Sequence, residues 1–138
     1  MPCSYLIDVK RRIVFSRGWG VLTDQEIFAH VKALGADARF DPGFQQIIDF
    51  RPLTEIRVTG AGVRGVAREN PYRRDARRAM VVSTDEGYGL IRMYEMFAEV
   101  EQDQLRIFRD IGPALEWIGL DAGAPWPEQA PDATFDRS

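Results

Sequence analysis

The chain has 138 residues, 45% of them hydrophobic and 28% charged, the balance of a folded domain rather than of a chain disordered throughout. That length supports one hydrophobic core and excludes two. A net charge of −3 excludes attachment to nucleic acid by the overall field, and a single cysteine, Cys3, excludes an intrachain disulfide or a cysteine-based zinc cluster.

The N-terminal residues Met-Pro-Cys-Ser-Tyr-Leu-Ile-Asp run straight into strand-like sequence with no charged region ahead of a long apolar run. No later stretch reaches membrane-spanning length, so the expected location is the cytoplasm. Tyr5, Ile7 and Val9 alternate with a period of two, Lys10-Arg11-Arg12 interrupts, and Ile13, Phe15 and Trp19 resume, which predicts a β-hairpin. Thr23 and Glu26 form a capping box, and Ile27, Val31 and Leu34 share one stripe with Phe28 on its flank. The first helix is therefore expected from Asp24 to Leu34, ended by Gly35.

Asp41-Pro42-Gly43 is a turn, and Ile47, Ile48, Asp49 and Phe50 form an apolar third strand ending at Arg51-Pro52. Leu53, Ile56 and Val58 have an extended pattern. Thr59 can cap a short helix carrying Val63, Val66 and Ala67, which must stop before Pro71. Ala79 to Ser83 is another apolar strand, and Ser83 with Glu86 makes a second capping box opening the longest helix, to about Glu101. Leu105, Ile107 and Phe108 give the last strand, and Pro113 opens an amphipathic helix through Leu120. Residues 1–120 form the expected body, and the acidic, proline-rich residues 121–138, with Trp126 and Phe135, are expected to be a disordered tail.

The resulting β-β-α-β-α-β-α-β-α order calls for an α/β domain with a mostly parallel sheet of about five strands. This order and size resemble the STAS domains, the fold of the anti-sigma-factor antagonist. Closer is the resemblance to small bacterial proteins described as STAS-like or lipid-transfer (CRAL-TRIO) like. It is carried by Gly20-Val21-Leu22-Thr23-Asp24-Gln25-Glu26, Phe40 to Arg51, Tyr88-Gly89-Leu90-Ile91-Arg92-Met93-Tyr94-Glu95, and Phe108-Arg109-Asp110 with Ala114-Leu115-Glu116-Trp117-Ile118. The resemblance implies a STAS-like fold and a regulatory or ligand-binding role, and it transfers no catalytic residues. STAS regulators carry a phosphorylatable serine after an aspartate at the end of the strand following the first helix. Here that strand reads Asp49-Phe50-Arg51-Pro52, and the nearest hydroxyls are Thr54 and Thr59.

Three segments invite a binding role. Gly60, Gly62 and Gly65 form a G-x-G-x-x-G run before a helix, with Asp85 beyond the following strand, so the loop reads either as a phosphate cradle for a nucleotide or as a glycine-rich helix cap. Arg64, Arg68, Arg73, Arg74, Arg77 and Arg78 crowd one region, either an anion site or a solvated run. In the longest helix Tyr88, Ile91, Met93, Met96, Phe97 and Val100 widen the apolar coverage beyond one stripe, which suits helix packing, a protein interface or an apolar ligand. One expected form of interface is a homodimer in which the helix acids Glu95, Glu99, Glu101 and Asp103 meet the arginine-rich region of a second copy.

Catalytic constellations are thin. His30 is the single histidine, which excludes a histidine-rich metal site, and no nucleophile turn of the G-x-S-x-G type occurs. Cys3 has no identifiable activating neighbour, and Asp49 and Asp110 at strand ends read as turn caps as readily as a carboxylate pair. The expectation is a regulatory or binding domain without catalysis and without a cofactor. Its partner is a protein or a small apolar ligand, with neither nucleic acid nor a membrane span involved. Nucleotide binding and apolar-ligand carriage are the alternatives.

Overall fold

Alternating apolar side chains fold the first strands against each other, and the computed structural model describes the chain over residues 3–126. Strands β1 (Cys3–Asp8) and β2 (Ile13–Gly18) pair antiparallel, Cys3 opposite Gly18 and Asp8 opposite Ile13. Their turn is closed by Asp8, which accepts hydrogen bonds from the Arg11 backbone N–H (2.9 Å) and Nε (2.6 Å). Parallel strands β4 (Gln45–Asp49), β6 (Arg78–Val81) and β7 (Leu105–Phe108) complete a mixed five-stranded sheet of order β1-β2-β4-β6-β7. The helices are α1 (Asp24–Ala36), α2 (Gly60–Arg68), α3 (Asp85–Phe97) and α4 (Ile111–Trp117).

Because successive strand residues point to opposite faces, the apolar runs of β4 and β6 divide between two cores. Ile47, Ala79 and Val81 pack with Ala114, Leu115 and Ile118 on the α4 side. Ile48, Met80 and Val82 face the other way, toward Ile27 of α1, Val63 and Val66 of α2, and Ile91 and Tyr94 of α3. Each fully buried Val, Leu, Ile or Met side chain among them stabilises the fold by about 1.5–3 kcal/mol. Three helices therefore share one face while the short α4 covers the other, and the crowded face is where their packing decides what space remains.

Several local expectations are corrected. Residues Gly20–Thr23 and Leu53–Arg57 are short strands, β3 and β5, paired in parallel as a separate two-stranded sheet. Helix α1 continues through Gly35 to Ala36, since one interior glycine costs only about 1 kcal/mol and the Asp37 backbone N–H closes the end on the Leu34 carbonyl at 3.1 Å. Helix α3 is capped by Thr84, whose Oγ1 accepts from the Gly87 N–H at 3.0 Å, rather than by Ser83. It ends at Phe97, short of the expected Glu101, with Glu99 following at φ 52°. Of the expected tail, residues 127–138 lie outside the described residues. Within 121–126, Trp126 sits edge-on to Phe15 at 5.5 Å between ring centroids.

Candidate functional site: an apolar cavity holding a buried arginine

Helices α1, α2 and α3 do not fill the sheet face they cover. Between them and the sheet lies a cavity of about 110 Å³, floored by Ile48, Met80 and Val82 and walled by Leu34, Val66 and Ile91. Its rim beside β5 is formed by Phe50, Leu53 and Ile56, which it shares with a smaller adjoining hollow. An apolar hollow of this kind leaves its lining without part of its dispersion contacts, and an enclosed cavity near 150 Å³ with a comparable lining accepts a benzene-sized molecule.

The polar groups in this lining are few. Gln46 and Arg78 are register partners on β4 and β6 and point to the cavity side, as does Met80 two residues on. Arg78 is only 4% exposed. Its Nε donates to Gln46 Oε1 at 3.0 Å and its Nη1 to Asn70 Oδ1 at 3.1 Å, while its guanidinium carbon lies 4.3 Å from the Tyr72 ring centre and 5.1 Å from that of Tyr94. Among the described residues no carboxylate lies within ion-pair distance of Arg78. Removing a cation from water costs several kcal/mol, against which each desolvated cation–π contact returns about 2 kcal/mol or more. The charge is thus held by neutral groups alone.

Tyr72 is 6% exposed, and its hydroxyl has no hydrogen-bond partner among the described residues. Burial pushes this phenol well above its usual range, so it remains a neutral hydroxyl. His30, also in the lining, is buried with its ring edge-on to Tyr5 at 5.6 Å, and burial lowers its pKa from 6.5 to about 4. At neutral pH it is an uncharged imidazole, which makes Arg78 the one charged side chain among the residues lining the cavity.

The glycine run occupies the start of α2, capped by Thr59, whose Oγ1 accepts from the Gly62 N–H at 3.0 Å. The position beside it is already taken by a carboxylate of the same chain. Asp24 Oδ1 accepts from the Thr59 N–H at 2.8 Å and Oδ2 from the Thr59 hydroxyl at 2.6 Å. A Cβ at Gly62 would fall 1.9 Å from Asp24 Oδ1, at Gly60 it would approach Met93, and at Gly65 it would stop 4.0 Å short of Phe28. Gly62 makes room for Asp24, and the positive end of the helix is met from within.

The arginine cluster disperses. Arg64 lies over the Phe97 ring at 4.9 Å, Arg73 pairs with Asp75 at 3.0 Å, and Arg74 approaches Glu99 at 3.7 Å. Arg77 stacks on Trp117 and donates to its carbonyl, Arg68 is exposed, and Arg78 turns into the core. The apolar residues expected on the longest helix disperse likewise. Ile91 is in the cavity wall, Met93 and, beyond the end of α3, Val100 are half-buried against the core, and Tyr88, Phe97 and the 78% exposed Met96 face outward. The Arg74–Glu99 approach joins acidic and arginine-rich segments within one chain.

Asp49 is buried and accepts from the Arg51 backbone N–H and Nε, and Asp110 stands at the N-cap of α4. Burial pushes the Cys3 thiol up to about 12, so it stays protonated and unreactive at neutral pH. Among the described residues no cluster of three metal-ligating side chains occurs, and no helix is long and apolar enough to cross a membrane.

Sequence reasoning missed the cavity and placed Arg78 with the surface arginines. One signal was available: Arg78 directly precedes the wholly apolar strand run Ala79-Met80-Val81-Val82 and stands two residues before Met80, on the same face of that strand. Comparison with protein-family models, curated proteins and solved structures returned no match. The site's own chemistry therefore carries the functional reading.

Proposed function

We propose that this chain is a non-catalytic binding module that takes a small apolar molecule into the cavity beneath α1, α2 and α3. The observation that carries the reading is the cavity itself: about 110 Å³ of space with an almost wholly aliphatic and aromatic lining, on the face where three helices would otherwise close over the sheet. The likeness to lipid-transfer-like proteins points the same way. The nucleotide reading is weaker, because Asp24 stands where a phosphate would meet the start of α2 and would repel it.

The test fills the space. Val66→Phe adds a ring to the α2 wall and is expected to abolish binding of 1-hexanol, measured by calorimetry, while the variant keeps its native circular dichroism. Saturable 1-hexanol binding by the wild type that survives Val66→Phe would place the ligand elsewhere. Absence of binding to the wild type at millimolar concentration would defeat the reading outright.

A further inference from the structure

We infer that the cavity selects an amphipathic monoanion, a carboxylate with an apolar tail, whose head group pairs with Arg78 and accepts a hydrogen bond from Tyr72. This rests on the cavity being a ligand site and adds the identity of the head group. The starting point is a buried cation without a counter-ion. Arg78 is 4% exposed, lines the cavity, and uses Nε and Nη1 on the neutral side chains of Gln46 and Asn70. Its Nη2 makes no hydrogen bond among the described residues. A guanidinium carries its charge at any pH at which a protein is folded, and its paired N–H groups match the two oxygens of a carboxylate.

The second observation is independent of the first. Tyr72 also lines the cavity, its hydroxyl is buried with no partner among the described residues, and its ring centre lies 4.3 Å from the Arg78 guanidinium carbon. A buried hydroxyl left unbonded costs about 1–3 kcal/mol. Arg78 Nη2 and the Tyr72 hydroxyl, on two residues of a mostly apolar lining, thus both lack an acceptor. A carboxylate supplies that acceptor and the missing negative charge in one group.

Charge and size narrow the class. One buried cation balances one negative charge, so a phosphate monoester dianion would bring an excess charge into an apolar space. Scaled from a cavity of about 150 Å³ that takes benzene, a volume of about 110 Å³ takes a tail of about four to five carbons. Hexanoate and 1-hexanol share a five-carbon pentyl tail and differ in whether it ends in a carboxylate or in a neutral CH2OH, which makes them the probes.

The experiment measures both affinities by calorimetry at pH 7.5 on the full chain, for wild type, Arg78→Met and Tyr72→Phe. Hexanoate is expected to bind the wild type at least about tenfold tighter than 1-hexanol, the strength of one charge-assisted hydrogen bond. In Arg78→Met the preference collapses to about one or reverses, and in Tyr72→Phe it falls about threefold to tenfold. If 1-hexanol binds the wild type but hexanoate binds no tighter, or if the preference survives in Arg78→Met, the head-group assignment is overturned while the cavity stands as a site. If neither probe binds, the cavity reading fails and takes this inference with it. Should Arg78→Met lack native circular dichroism, Tyr72→Phe decides: an unchanged preference overturns the assignment.

Discussion

Replacing Gly62 by alanine and, separately, Gly65 by alanine should move stability in opposite directions, although both glycines lie in α2 and in the same G-x-G-x-x-G run. At Gly62 the new Cβ would stand 1.9 Å from Asp24 Oδ1 and 2.2 Å from its Cγ, so the carboxylate must leave Thr59. Two charge-assisted hydrogen bonds of 2.8 and 2.6 Å are then lost. Taking the low end for a solvent-facing site, about 1.5 kcal/mol for each bond, and subtracting about 1 kcal/mol that alanine gains over glycine in a helix, the net loss is about 2 kcal/mol. At Gly65 the nearest atom is Phe28 Cδ1 at 4.0 Å, so only the helix term operates and the variant gains about 0.5–1 kcal/mol. Urea unfolding followed by circular dichroism reads both. Equal effects of the two substitutions, or stabilisation by Gly62→Ala, would refute the idea that Gly62 exists to seat Asp24.

The remaining predictions concern the buried polar groups and one helix cap. His30 has a folded pKa of about 4 against 6.5 when unfolded, so below pH 6.5 the unfolded chain binds more protons and stability falls with acidification until about pH 4. The loss across that window is about 3 kcal/mol, and His30→Leu should remove it; an identical pH slope in the variant would contradict the assignment. In the ligand-free protein Tyr72→Phe is expected to be neutral or stabilising by up to about 1 kcal/mol, because its hydroxyl gives up no bond; a loss above about 1 kcal/mol in thermal unfolding would reveal a partner. Thr84→Ala should cost about 1 kcal/mol by uncapping α3, whereas Ser83→Ala should cost little, and the reverse ranking would restore Ser83 as the cap.

How much of this was legible in the sequence depends on whether the determining interaction is local. Strands β4 and β6 announce themselves as short apolar runs, because both faces of a central parallel strand are covered. The caps at Thr23 and Thr59 also depend on neighbours three residues away. Strand β3 did not show as a strand and β5 showed only as an extended pattern, since their four and five residues are mostly half-buried or exposed and pair only with each other. Arg78 was hidden for a different reason. Its burial depends on Gln46, 32 residues earlier, and on the rings of Tyr72 and Tyr94, while its sequence neighbours form a run of arginines that reads as solvated. The Asp24–Thr59 link spans 35 residues, so the glycine run looked open when it is filled. A cavity is still less visible, being the space that three separately legible helices leave between them.

The most direct test of the central claim is a methyl NMR titration of the full chain with 1-hexanol. Binding in the cavity predicts saturable shifts at Ile48, Met80, Val82 and Ile91, which line it, while Ile47, Val81 and Leu115 across the sheet stay in place. Equal shifts on both faces of the sheet, or none at saturating ligand, would contradict the account.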